Sequence, residues 1–263
     1  MKLQHLSTCI TLIASSAIAL SVEPARAFNF TEGTDLGTCD VLVDNLTTPK
    51  FKAYLDDTLI KECTTDDGFT LTASQPANGF LQGKLVDKDK KVAGVGITEP
   101  GTGPIPGEIE FGEILDVALD EADQIASFDL SFLYLPGVFW DQVYEVAEVT
   151  VNGSLTGTLT VTGETTAEWI FDGTTIDAIN LDPSQEVEGG AYRVNNPFGD
   201  LIVSSLSFTA PSEGRRQPRD SDYALVAIEK GNGIFEDIPE PTTLLGLGVV
   251  GGLMAASRRQ KSA

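Results

Sequence analysis

From Phe69 onward the apolar residues of this chain recur at every second position, a period that belongs to strands and not to helices. Phe69-Thr70-Leu71-Thr72 opens the pattern, and residues 155–161 set Leu and Val against Thr and Gly, as a strand with one buried face requires. Further runs cover 80–86, 92–97, 109–119, 125–135, 144–151, 167–171, 192–195, 201–210 and 223–229. Turn signals separate them: Asp87-Lys88-Asp89-Lys90, the Pro- and Gly-rich stretch 99–107, and Asn152-Gly153. About a dozen short strands of this kind predict an all-β chain, a β-sandwich of jelly-roll type. The exception is 49–60, where Phe51, Tyr54, Leu55, Thr58 and Leu59 fall at helical spacing and predict one short helix. Residues 211–220, with Arg215, Arg216 and Arg219, read as a loop, and no internal repeat is present.

Both ends depart from this pattern. Met1-Lys2 precedes an apolar run, 9–20, too short to span a bilayer comfortably. Ala25-Arg26-Ala27 follows as an A-x-A site, so residues 1–27 read as a signal helix cleaved after Ala27. A lipoprotein signal does not fit, because Cys9 precedes the apolar run. At the other end Pro239-Glu240-Pro241 leads into the uncharged stretch 242–257, and Arg258, Arg259 and Lys261 close the chain. That stretch is marginal for a permanent span of ~20 residues, and the basic residues beyond it would stay on the cytoplasmic side. The chain thus divides into a signal (1–27), an ectodomain (28–230), a linker (231–238) and a hydrophobic tail helix (239–263).

The three-part tail resembles the PEP-CTERM sorting signal of exported bacterial proteins. The resemblance implies that Pro239, Glu240 and Pro241 are recognised by an exosortase, a membrane protease. It also implies that 242–257 inserts transiently into the membrane and that Arg258, Arg259 and Lys261 are retention charges. The expected location is the cell envelope, cell surface or extracellular matrix of an exopolysaccharide-producing bacterium, and exopolysaccharide is an expected partner. Gly94-Val95-Gly96, the run from Gly107 to Glu113 and the two strands after it also look like the β-sandwich ectodomains common among such proteins. That likeness implies a surface domain without established catalytic residues.

Charge agrees with export more than with nucleic acid. Lys and Arg number 17 against 39 Asp and Glu, a formal net charge of -22, which repels a phosphate backbone. Loss of residues 1–27 and 242–263 removes five of the basic residues but only Glu23 of the acidic ones, so the mature chain is more acidic still. Such a surface stays dispersed and can recruit divalent cations. Asp66-Asp67-Gly68 and the group Asp116, Asp120, Glu121 and Asp123 are the places where Ca2+ would sit, although the ordered D-x-[DN]-x-[DN]-G loop is missing.

Cys9 leaves with the signal, and Cys39 and Cys63 remain in an oxidising compartment, where they are expected to pair. The only histidine, His5, leaves as well. Ser-His-Asp, Cys-His and the usual zinc hydrolase chemistries are thereby excluded, and no phosphate-binding Gly motif occurs. Carboxylate chemistry survives. Glu108, Glu110 and Glu113 have a spacing similar to the E-x-D-x-x-E run of laminarinase-type glycosidases, with Glu in place of the central Asp and without their Trp-rich surroundings. A Glu108/Glu113 pair acting as nucleophile and acid/base is therefore the alternative function. The preferred expectation is a non-enzymatic structural or adhesive protein without cofactor. Its aromatic loop 134–140 would stack Tyr134 and Trp140 against sugar rings, while Trp169, on a strand, belongs to the core.

Overall fold

The structure, a computed structural model, describes residues 27–44, 60–85, 92–98, 107–137, 144–181, 190–211 and 221–231. The expected helix over 49–60 lies almost wholly outside these. The helical turns that are described come earlier, a 3-10 turn at Gly37–Asp40 followed by α1, Val41–Asp44. The strands are β1 (Ala27–Asn29), β2 (Glu62–Thr64), β3 (Phe69–Gln75), β4 (Phe80–Leu85), β5 (Val92–Thr98), β6 (Ile114–Asp123), β7 (Ile125–Leu133) and β8 (Val146–Val151). They continue with β9 (Leu155–Gly163), β10 (Thr166–Phe171), β11 (Thr174–Asp177), β12 (Ile179–Asn180), β13 (Gly190–Asn195), β14 (Val203–Thr209) and β15 (Ala224–Lys230).

Two antiparallel sheets result. One has the order β12-β13-β7-β15-β5-β4, with β1 added on β15; the other runs β11-β10-β9-β8-β14-β6-β3-β2. The pairs β5·β15, β6·β14 and β7·β13 nest inside one another and alternate between the sheets. The core lies where the two inner faces meet. Phe128 of β7 meets Trp169 of β10 edge-to-face at 5.1 Å between ring centroids, and Phe28 of β1 meets Phe69 of β3 at the same distance. These are the T-shaped contacts that ring quadrupoles favour.

The period-two reading has a direct physical basis in β9. Gly157, Leu159 and Val161 face inward while Thr158 and Thr160 alternate with them. Gly157 is required there because a Cβ would collide with the Trp169 indole. Trp169 is fully buried, and its indole N–H donates to the Pro197 carbonyl at 2.7 Å, so its one polar atom is satisfied inside the core. The central strand β7 is buried on both faces. Its outward row, Ser127, Asp129 and Ser131, is polar, and Asp129 accepts two hydrogen bonds of 2.7 Å from Arg193 on β13. That fork raises the guanidinium pKa further above its ordinary value.

One expected strand is corrected. The run over 109–119 begins as regular pairing only at Ile114. Gly112 adopts φ +86°, which breaks the extended backbone, and the residues before it make isolated bridges, Ile97 with Glu108 and Ile109 with Tyr223.

Candidate functional site

The strand register gives the sandwich two poles. At one, Ala27 lies opposite Glu229, and Lys230 lies opposite Ile125. At the other, Ala224 lies opposite Ser131, Gly190 opposite Leu133, and Ile109 bridges Tyr223. Tyr134, which follows β7, and Tyr144 and Glu145, which precede β8, belong to this second pole. So do Glu108, Phe111 and Glu113.

A buried carboxylate closes the base of the aromatic loop. Glu145 is fully buried, its Oε2 accepts the Tyr134 N–H, and its own N–H donates to the Tyr134 carbonyl at 3.3 Å. The next residue, Val146, donates its N–H to Ser221 Oγ at 3.0 Å. The two strands that carry the loop are thus pinned to each other and to the start of β15. Burial, and secondarily the charge of Glu145, raises the pKa of the Tyr192 phenol and keeps it neutral. Tyr134 is half-buried, with its ring 6.5 Å from that of Phe132.

Phe132 itself has φ +64°, a left-handed conformation that costs a bulky residue on the order of 1–2 kcal/mol. Its ring lies under the Lys84 ammonium, 5.0 Å from the centroid, and Lys84 pairs with Glu108 at 2.8 Å. A continuous series of contacts therefore runs from Glu108 through Lys84 and Phe132 to Tyr134 and Glu145. Glu113 has a separate role, since its Oε2 accepts the Glu110 N–H at 2.8 Å across the Gly112 turn. The two carboxylates of the glycosidase alternative are thus held by different partners, Glu108 deeply buried and Glu113 partly exposed.

Exposed aromatic surface gathers at the same pole. Among the described residues the exposed large aromatics are Tyr144, 53% exposed, and Phe111, 36% exposed. The sequence reading passed over both. Tyr144 read as the first residue of a strand and Phe111 as one residue of the 109–119 strand. The available signals were the glycine after Phe111 and the position of Tyr144 where the aromatic loop returns.

Of the acidic residues expected to recruit Ca2+, Asp67 and Asp120 lie at the first pole and meet a lysine. Lys230 Nζ donates to the Asp67 carbonyl at 2.7 Å and to Asp120 Oδ1 at 2.8 Å, and lies 4.8 Å from the Phe69 ring centroid. Asp116 instead accepts hydrogen bonds from the hydroxyls of Ser74 and Ser207. Among the described residues no group of three or more His, Cys, Asp or Glu is placed to hold a metal ion.

Cys39 and Cys63 form a disulfide with a Cα–Cα distance of 5.1 Å, as the cysteine count predicts. Ala27 lies in β1. Ala25, Trp140, Pro239, Glu240, Pro241, Arg258, Arg259 and Lys261 lie outside the described residues. No described helix is long and apolar enough to cross a membrane.

No family model and no curated protein matches the chain. Among solved structures it is similar to the catalytic unit of a thermostable GH87 α-1,3-glucanase from Streptomyces thermodiastaticus strain HF3-3, at 11% identity and a TM-score of 0.30. The match covers 64% of this chain and 26% of that one, so the chain spans about a quarter of that structure's length.

Proposed function

We propose that this is an exported, non-enzymatic surface protein that binds polysaccharide through the aromatic pole of its sandwich. The observation that carries the reading is the placement of exposed Tyr144 and Phe111 at the same pole as Tyr134, whose backbone is fixed by Glu145. An apolar sugar face stacks on such exposed rings, and an aromatic side chain has few torsions to order on binding. Trp140 belongs to the same loop and is the fourth candidate. The nested, sheet-alternating strand pairs support the jelly-roll form of the sandwich. Sorting by an exosortase through Pro239-Glu240-Pro241 rests on the tail sequence alone.

The test is affinity electrophoresis of the exported protein in gels containing bacterial exopolysaccharide or β-glucan. Tyr144→Ala, Tyr134→Ala and Trp140→Ala should each weaken retention by about 1 kcal/mol, roughly fivefold in Kd. Release of reducing sugar that disappears in Glu108→Gln or Glu113→Gln would replace this reading with the glycosidase one.

A further inference from the structure

The geometry points to a two-ended molecule, in which both membrane-directed segments leave from one pole and the aromatic surface occupies the other. β15 is central in its sheet and carries both relationships. At its end, Ala27 pairs with Glu229, so the described chain begins beside the point where β15 stops. Gly231 donates its N–H to the Gln124 carbonyl at 2.7 Å, and residues 232–263 continue from there. The pole is fastened across the sandwich by Lys230, which reaches Asp67 and Asp120 of the opposite sheet. At the start of β15, Ser221 holds Val146 and Tyr223 bridges Ile109, so Tyr134, Tyr144 and Phe111 belong to that end.

β7 measures the separation. It runs from Ile125, opposite Lys230, to Leu133, immediately before Tyr134. At ~3.3 Å per residue its nine residues set the poles about 26 Å apart. In the uncleaved precursor the apolar runs 9–20 and 242–257, and after cleavage 242–257 alone, then meet the membrane from the pole opposite the aromatic residues. That surface faces outward, toward polysaccharide, both while the tail is inserted and after any attachment at Pro241. This inference rests on the export and glycan-binding reading above, but its two halves are measured separately.

The experiment places the full chain, with Cys9→Ser and the native disulfide intact, in phosphatidylethanolamine/phosphatidylglycerol vesicles containing an acceptor-labelled lipid. A donor dye is attached through Glu121→Cys at the near pole or Glu110→Cys at the far one; both residues are exposed. Transfer to lipid should be strong from position 121 and several-fold weaker from position 110. Equal transfer from the two positions, stronger transfer from 110, or none from either overturns the proposal. Exopolysaccharide added to the same vesicles reports the other half. If the 121/110 contrast holds but retention of the polysaccharide is absent, the orientation stands and the glycan-binding reading falls.

Discussion

The Lys230 ammonium lies 2.8 Å from the Asp120 carboxylate and joins β15 of one sheet to β6 of the other. Lys230 is buried, whereas Asp120 is half exposed, so Coulomb attraction alone contributes little. The energetic weight falls on the ammonium's bond to the Asp67 carbonyl and its place over the Phe69 ring. Lys230→Met keeps the apolar stem and gives up the charge, and should cost about 1–3 kcal/mol in urea unfolding. Because a lysine fills the positive position between the two acidic groups, Ca2+ and chelators should leave the wild-type midpoint unchanged. A Ca2+-dependent rise in that midpoint would show that the acidic pole takes a metal after all.

The Cys39–Cys63 bond closes a loop with a sequence separation of 24. In the chain-entropy account such a loop contributes about 3.5 kcal/mol by restricting the unfolded ensemble. Cys63 lies on β2, whose pairing to β3 spans three residues, and Cys39 is fully buried. The Cys39→Ala/Cys63→Ala chain should therefore lose stability by about that amount. A reducing agent should lower the wild-type chain toward the variant and leave the variant unchanged.

Tyr223 predicts how the fold responds to alkali. Its phenol is fully buried and donates to the Thr209 carbonyl at 2.9 Å. Burial, reinforced by Glu148, raises its pKa well above the ordinary value of 10.0. The unfolded chain releases this proton near the ordinary value and the folded chain retains it. Stability from this group is thus complete below that pH and falls as the pH rises toward the folded value. Tyr192, raised mainly by burial, acts in the same direction. Tyr223→Phe should cost about 1 kcal/mol at pH 7 for the lost hydrogen bond, and should flatten the decline above pH 10. An alkaline slope equal to that of wild type would assign the decline to other groups.

The parts of the fold legible in the sequence are those set by local periodicity. β9 and β14 show their inward residues directly, and Trp169 read correctly as core because it sat on a strand facing other apolar positions. β2, β11 and β12, of two to four residues, are too short for a period to register. The site was less legible for a different reason. Lys230 and Glu145 look like surface charges in sequence, and their burial depends on partners brought close only by folding. Lys230 finds Asp67 and Asp120 at separations of 163 and 110 residues. Glu108 read as one member of a Glu108/Glu113 pair, yet folding pairs it with Lys84 and bridges it to Ile97.

The first strand sets an order of events on signal removal. If cleavage falls after Ala27, the scissile bond joins two residues that pair with Glu229 and Ile228 in the folded chain. Phe28 is fully buried there, its ring 5.5 Å from Phe30 and 5.1 Å from Phe69. A protease that binds its substrate as an extended strand needs the same backbone groups that β15 occupies. β15 is the last strand of the sandwich, so the site is open until that strand arrives and closed afterwards. Signal peptidase should therefore cut a precursor truncated before Ala224 and fail to cut the refolded full-length precursor at Ala27. Mass spectrometry of the products reads this directly, with Phe28 as the new N-terminus in the truncated chain. Equal rates of cutting in the two substrates would mean that β1 detaches freely, or that cleavage occurs upstream of the strand.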